Sequence, residues 1–283
     1  MHLAGKTLFI SGGSRGIGLA VALRAARDGA NVVVAAKTAE PHAHLPGTIY
    51  SAAQDIEAAG GKALPVLLDI RDVDAVEAAM ASAAQHFGGI DILVNNASAI
   101  SKTTTLETEA KHYDLMHQIN ARGTYFVSKA AIPYLRKAAN PHVLTMSPPI
   151  NLDPKWFAPH VAYTMSKYAM SMTVLGMAAE FREDGIAFNS LWPRHGIATA
   201  AIEFAAADAE QLKHCRTVDI MADASYEILT RPSRQCTGNF FIDDTLLAET
   251  GVTDFTKYRV DPSQPLCVGM FFADDDQPPP GKH

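Results

Sequence analysis

The chain has 283 residues, of which 48% are hydrophobic and 19% charged, with a formal net charge of −6. This composition can bury a large core, in one large or two small domains, and the acidic balance excludes a nucleic-acid binder, which would carry a basic stripe. No run reaches the length of a bilayer span, and Met1 to Gly5 lacks a signal-peptide pattern.

Three cysteines, Cys215, Cys236 and Cys267, are widely spaced and read as reduced thiols, not as a disulfide frame or zinc site. The expectation is a cytoplasmic protein of enzyme size, without a metal.

Thr7 to Ile10 is a short β-rich run followed directly by Ser11, Gly12, Gly13, Ser14, Arg15, Gly16, Ile17 and Gly18, then by a helical segment from Leu19 to Asp28. Glycines 12, 16 and 18 in a strand–turn–helix context let backbone N–H groups approach a pyrophosphate at a helix N-terminus. A ligand-free glycine turn is the plainer reading. The second strand, Asn31 to Ala36, completes a βαβ unit and favours dinucleotide binding.

That strand ends in Ala36-Lys37. An acidic residue is the usual partner of an unphosphorylated ribose there, whereas Lys37 and Arg15 suit a 2′-phosphate and hence NADP. The plainer alternative, that both are solvated surface cations, is the weaker of the two.

His42 and His44, on a proline-rich loop, lack a third metal-ligand candidate. A helix spans Ser51 to Ala59, and a third strand, Ala63 to Leu68, ends at Asp69 and Ile70. Asp69 is placed to accept from an adenine amino group or to cap the next helix, Asp72 to Phe87.

A fourth strand, Ile90 to Val94, leads into Asn95, Asn96 and Ala97, where paired amides can pin neighbouring strands and shape a cofactor floor. The helical stretch Lys111 to Ala138 contains Asn120, an unfavourable interior residue unless a local kink employs it, and Pro133, a second irregularity.

His142 to Met146 is the fifth strand and is closed by Ser147. The helix Tyr163 to Phe181 carries Tyr163 and Lys167 four apart on one face, with Ala169, Met172, Leu175 and Ala179 read as an apolar stripe and the methionines as core filler. A cation beside a phenol favours phenolate, although the pair alone is common on exposed helices. Ile186 to Trp192 is the sixth strand, Ala200 to Ala224 an alanine-rich stretch able to form a lid, and Gly238 to Ile242 the last strand.

Alternating strands and helices imply an α/β fold, one doubly wound, mostly parallel seven-stranded sheet with helices on both faces. Its domain would cover residues 1–250, with 251–283 a loop-rich, partly mobile extension.

Taken in order, the glycine turn 12–18, Asn95-Asn96-Ala97, Asn120, Ser147, Tyr163 and Lys167 resemble the short-chain dehydrogenase/reductase family across residues 6 to 199. The resemblance implies a Rossmann-type domain and a nicotinamide cofactor. It implies Tyr163 as general acid/base, Lys167 as the group that lowers its pKa and binds the nicotinamide ribose, Ser147 as the substrate-oxygen donor, and Asn120 as support for a proton relay.

It also implies adenosine-end contacts from Ser14, Arg15, Lys37, Asp69 and Ile70, a cofactor floor at Asn96 and Ala97, and nicotinamide contacts from Pro193, Ile197 and Thr199. Homodimers or homotetramers are expected.

The chain departs from the family pattern in three places. Ser98 replaces a glycine, and Arg194 follows Pro193 where glycine is usual, with Thr199 one residue late. Ser147 and Tyr163 stand sixteen apart, a longer interval than usual. Pro148 to His160 would loop out, with Trp156 and Phe157 as pocket-wall residues or core anchors, and Asn151 as an outside candidate for the serine's role.

Those aromatics and Trp192 suggest an apolar, lipid-, acyl- or steroid-like carbonyl or alcohol as substrate. The same fold also hosts NADP-binding sensors and non-redox lyases or epimerases.

Overall fold

A computed structural model describes residues 2–41, 45–200, 209–273 and 276–283. His42 and His44, residues 201–208 of the expected lid and two of the C-terminal aspartates lie outside the described residues.

The strands are β1 (Thr7–Ser11), β2 (Asn31–Ala36), β3 (Lys62–Leu67), β4 (Ile92–Asn95), β5 (His142–Thr145), β6 (Ala187–Trp192) and β7 (Phe240–Ile242). All pair in parallel, in the spatial order β3-β2-β1-β4-β5-β6-β7. The chain steps outward from β1 to β3, then returns to β4 on the other side of β1. That reversal opens a crevice at the carboxyl ends of β1 and β4, where ligands of such sheets bind.

The central strands are apolar on both faces because helices cover both. On one side Leu8, Ile10, Val32 and Val34 pack against α1 (Gly16–Ala26), α2 (Ile49–Ala58), α7 (Asp219–Leu229) and α8 (Asp243–Glu249). On the other, Phe9, Val33, Leu93 and Val143 pack against α3 (Val73–Phe87), α5 (Thr124–Leu135) and α6 (Val161–Glu180). The alternation of Leu8, Phe9 and Ile10 between these two cores is the period-two geometry of a strand.

Three local outcomes refine or correct the sequence reading. The stretch around Asn120 is not one regular helix: α4 (Ala110–Met116) runs into a π-helical turn, His117–Gly123, and then into α5, with Pro133 near the end of α5. Asp69 does not cap α3; the Asp72 carboxylate accepts from Ala75 N at 3.0 Å.

On α6, Met172 and Leu175 are exposed, and the buried stripe is Tyr163, Lys167, Met170, Val174 and Met177. The two stripes are offset around the helix, and an almost uniformly apolar helix gives hydropathy little power to choose between them.

Beyond residue 250, Phe255, Tyr258, Phe271 and Phe272 are buried. Residues 267–269 run antiparallel to 194–196, with Gly269 N donating to Arg194 O at 2.7 Å and His195 bridged to Val268. This C-terminal strap therefore lies against the loop that follows β6.

Candidate active site

The glycine turn is built by close approach. Gly12 and Gly16 adopt left-handed backbone, φ +68 and +56. A Cβ on Gly18 would stand 2.5 Å from Gly12 O and 2.6 Å from Asn96 Nδ2, so α1 can start here only without a side chain.

Asn96 Nδ2 donates to Gly12 O at 2.8 Å, and the Ser11 hydroxyl accepts from Asn96 N and Ala97 N at 3.2 and 3.3 Å. The expected pinning of strands by asparagine amides is thus present at Asn96. Asn95 Nδ2 reaches across to Ser128 Oγ on α5 instead, at 2.9 Å.

The N-cap of α1, Arg15, gives no side-chain cap to the helix. The first N–H groups of α1, at Gly16, Ile17 and Gly18, are therefore left uncapped by that side chain, an arrangement that fits a pyrophosphate.

Around the adenosine end, Lys37 is exposed just beyond β2, with no acidic residue at the strand end. Arg15 turns toward the neighbouring loop, its guanidinium donating to Pro46 O at 2.8 Å and Gly47 O at 3.0 Å. Asp69 is paired with Arg71 at 2.5 Å. Hydrogen bonds from the Arg71 side chain hold the Asp69 carboxyl below the usual carboxylate range, with Lys37 contributing at longer reach.

A cleft of about 600 Å³ opens beside the glycine turn, lined by Arg15, Gly16, Leu19, Thr199, Asp219 and Tyr258 among others. It borders the turn but does not include Ser147, Tyr163 or Lys167.

Ser147 closes β5, fully buried, and its hydroxyl has no hydrogen-bond partner. A buried polar group costs free energy unless it is satisfied, so this one needs a reason. Beside it, Lys167 Nζ donates to Met146 O at 2.7 Å and lies 5.2 Å from the Trp192 ring centroid.

Asn120 is locked by its π-helical turn. Its Oδ1 accepts from Ala99 N at 2.8 Å, and its Nδ2 donates to Ala99 O and to Ser166 Oγ, both at 2.9 Å. Ser166 Oγ in turn donates to Tyr163 O at 2.8 Å, so the amide is joined to the backbone of the tyrosine turn.

Burial sets the ionisation of the pair. Desolvation pushes the Tyr163 phenol up and lowers Lys167 to about 7. The sequence expectation of an acidified tyrosine is not what this arrangement gives. The lysine charge is itself desolvated, and burial penalises phenolate directly.

Tyr163 belongs to a third apolar cluster with Met116, Ala162, Tyr168 and Phe271, against which Ala99, Trp156, Phe157, Trp192 and Met270 pack. Trp156 Nε1 donates to Phe272 O and Trp192 Nε1 to Met270 O, each at 3.1 Å. Phe271 sits between them, 5.8 Å from Trp156, 5.4 Å from Tyr168 and 5.7 Å from Trp192, ring centroid to ring centroid.

The strap residues Met270 and Phe271 were missed by sequence reasoning; a lone aromatic pair in a loop-rich tail carries no periodic signal. Trp156 is an anchor, but of the strap more than of its own loop.

Asn151 is engaged elsewhere. Its Oδ1 accepts from Asp153 N at 3.0 Å, and the Tyr168 hydroxyl donates to its carbonyl.

After β6, Arg194 is buried and ion-paired to Asp244 at 2.9 Å and Asp276 at 3.0 Å, which accounts for a large residue where glycine is usual. Ile197 is a core residue. Gly196 O and Ala198 N make the bridge to Arg216, leaving the backbone groups of Ile197 outside it. The Thr199 methyl packs 3.6 Å from where a Gly16 Cβ would lie, which brings Thr199 to the glycine turn.

Among the described residues no helix is long and apolar enough to cross a membrane, and no cluster of three or more metal-ligating side chains occurs.

The short chain dehydrogenase family model matches residues 6–210. Hydroxysteroid dehydrogenase-like protein 2 of Bos taurus is 56% identical over 276 residues, 98% of this chain but only 65% of that protein, so the chain spans less than two thirds of its relative's length. A crystal structure from Xanthomonas campestris superposes with a TM-score of 0.94 at 51% identity, covering 97% of this chain and all of the other. A short chain dehydrogenase from Mycobacterium thermoresistibile gives 0.92 at 51% identity, covering 98% of each. Parallel sheet, glycine turn and matched length agree, and the chain belongs to the short-chain dehydrogenase/reductase family.

Proposed function

We propose that the chain is an NADP-dependent oxidoreductase that interconverts a secondary alcohol and a ketone on an apolar, lipid-, acyl- or steroid-like substrate. The observation that carries this reading is the buried, unpartnered Ser147 hydroxyl beside Lys167, with Tyr163 on the same face of α6 as that lysine. A hydroxyl left without a partner in the interior is satisfied once a substrate oxygen arrives.

When bound, the nicotinamide supplies or accepts the hydride. Gly12, Gly13, Ser14, Gly16, Ile17 and Gly18 would hold the pyrophosphate end. Asn96 and Ala97 would form the floor, Asp69 and Ile70 the adenine side, and Pro193, Ile197 and Thr199 the carboxamide side.

Tyr163, kept protonated by burial, is suited to give its proton to a ketone oxygen while Ser147 donates a hydrogen bond to the same atom. Lys167, near neutrality, is suited to hold a ribose hydroxyl and to shift the tyrosine's proton balance when charged. Asn120 keeps the turn that carries Tyr163 in place. Together such positioning and polarisation commonly contribute several kcal/mol.

The aromatic cluster of Trp156, Trp192 and Phe271 around Tyr163 supports an apolar substrate, as does the hydroxysteroid named for the Bos taurus relative. Lys37 beyond a β2 without a terminal carboxylate supports NADP over NAD. Exposed Tyr125 on α5 and Met165, Met172 and Leu175 on α6 support self-association through those helices.

The test is oxidation of NADPH and NADH with a panel of apolar ketones. Tyr163→Phe should lower turnover by roughly 10²–10⁴-fold; turnover that survives it overturns the assigned acid. NADPH binding without turnover on any ketone would favour a nucleotide sensor. Lys37→Ala should weaken NADPH but not NADH; equal losses would refute its role in cofactor choice.

A further inference from the structure

Cys215 and Cys267 are far apart in sequence but not in space: their sulfurs stand 3.9 Å apart. Their backbones run side by side, with Cys267 N donating to His214 O at 2.8 Å and to that extent fixing the pair. Cys215 is buried and Cys267 exposed, so one thiol meets solvent and the other waits behind it.

Gly196 makes room for them. A Cβ there would lie 2.6 Å from the Cys267 sulfur and 3.0 Å from that of Cys215, so a larger residue would wedge into the pair. Joining the sulfurs needs a closure from 3.9 Å to about 2.05 Å.

Cys267 is part of the strap that carries Met270, Phe271 and Phe272 to the Tyr163 cluster. The strap is held there by two indole N–H groups and by the pairing with 194–196. Phe271 is also the one non-glycine residue with positive φ among those described, at +79. A bulky residue in left-handed backbone is held only where the surroundings over-determine it, so the strap is seated under strain.

We propose that Cys215 and Cys267 are a peroxide-responsive dithiol whose disulfide ties the C-terminal strap down over the Tyr163 cluster. Hydrogen peroxide oxidises the exposed Cys267 thiolate to the sulfenic acid, one oxygen entering and the other leaving as water after protonation. Cys215 then attacks that sulfur, the S–S bond forms, the S–O bond breaks, and a second water leaves with the Cys215 proton. The two thiols lose two electrons in all, and the peroxide gains them. Burial raises the Cys215 thiol, which makes it the slower, resolving partner.

The full chain treated with hydrogen peroxide should fall from three titratable thiols in urea to one, with a single cross-linked peptide pair containing Cys215 and Cys267, and dithiothreitol should restore all three. Cys215→Ser and Cys267→Ser should each abolish the cross-link, and Cys236→Ser should leave it. Three thiols after oxidation, sulfinic acid at Cys267 without a cross-link, or a link between two chains would each overturn the site.

The chain's two tryptophans both donate to the strap, so their quenching by acrylamide reads its seating directly. Quenching should fall in the oxidised form; a cross-link that leaves quenching unchanged would refute the tie-down. Because these readouts do not use turnover, an inactive protein that still cross-links would sink the catalytic reading and leave this one standing.

Discussion

Lys167 illustrates how a single residue can be costly to the fold and useful to the site. It is buried at 3% exposure, its Nζ donating to the neutral Met146 carbonyl and Met170 sulfur with no carboxylate paired to it among the described residues, and burial brings it down to about 7. Its folded pKa lies below the unfolded value, so at neutral pH the native state pays a desolvation penalty that lessens as pH rises. Lys167→Met keeps the stem volume and removes the ammonium. It should raise thermal stability by about 1–2 kcal/mol while removing most activity. A thermal melt alongside the ketone assay checks this; a lower melting temperature would show that the bond to Met146 outweighs desolvation.

The same side chain marks a limit of sequence reading. Tyr163 and Lys167 were recognisable by spacing and by what precedes them, but their ionisation depends on how much water reaches them. No spacing encodes that.

The elements that shape the site are the π-helical turn and the strap. The turn lets Asn120 face inward and bond both Ala99 and Ser166, a geometry that a regular α-helix would rotate away. An interior asparagine with Gly123 close after it hinted at an irregularity, though not at its partners. The strap was not legible at all, because its contacts are distant in sequence: Phe271 meets Trp156, Tyr168 and Trp192 only after β6 and α6 are in place.

Phe271→Ala keeps the Cβ and with it the left-handed strain, and it empties the centre of that aromatic group. Loss of a buried phenyl ring costs about 3–5 kcal/mol. Reduced stability to denaturant and greater acrylamide quenching of tryptophan are expected. Unchanged values for both would mean that the strap is seated by its backbone pairing alone.

Across the whole molecule, buried titratable groups link distant parts of the sheet to pH. His142, in β5, bonds the Arg231 carbonyl at 3.0 Å and is pushed down to about 4 by burial. His195 is lowered to about 4 in the same way, whereas burial and Asp244 raise Asp243 to about 7.

For His142 the folded pKa is depressed, so its contribution is complete above the unfolded value of about 6.5 and is lost as pH falls toward about 4. His195 acts in the same sense. Asp243 acts oppositely, since its raised folded pKa gives stability at low pH that is lost as pH rises toward about 7. Comparing His142→Leu with the wild type isolates one histidine. Between pH 6.5 and 4.5 the stability difference should shift by about 2 kcal/mol, the wild type losing more, as read by urea unfolding at each pH. A constant difference would refute the assignment.

The charged groups around Arg194 and Arg216 bind the loop after β6, the start of α8 and the C-terminal segment into one network. Neither partner's identity could be inferred from its neighbours in sequence. The glycine turn was a different case, because each glycine there answers to a local steric demand that the sequence states directly.

The sequence by itself determined the alternation of strands and helices, the doubly wound parallel sheet and the family. Those depend on local periodicity and on residue types, such as Gly12, Gly18 and Asn96, whose role is fixed within one strand–turn–helix unit and the strand beside it. Only the tertiary structure decided which face of α6 is buried, that Arg194 is an ion-pair anchor, and that Phe271 and Cys267 come to the loop after β6 and the Tyr163 cluster. These follow from contacts between residues tens to more than a hundred positions apart, where packing and desolvation act between segments that carry no local record of each other.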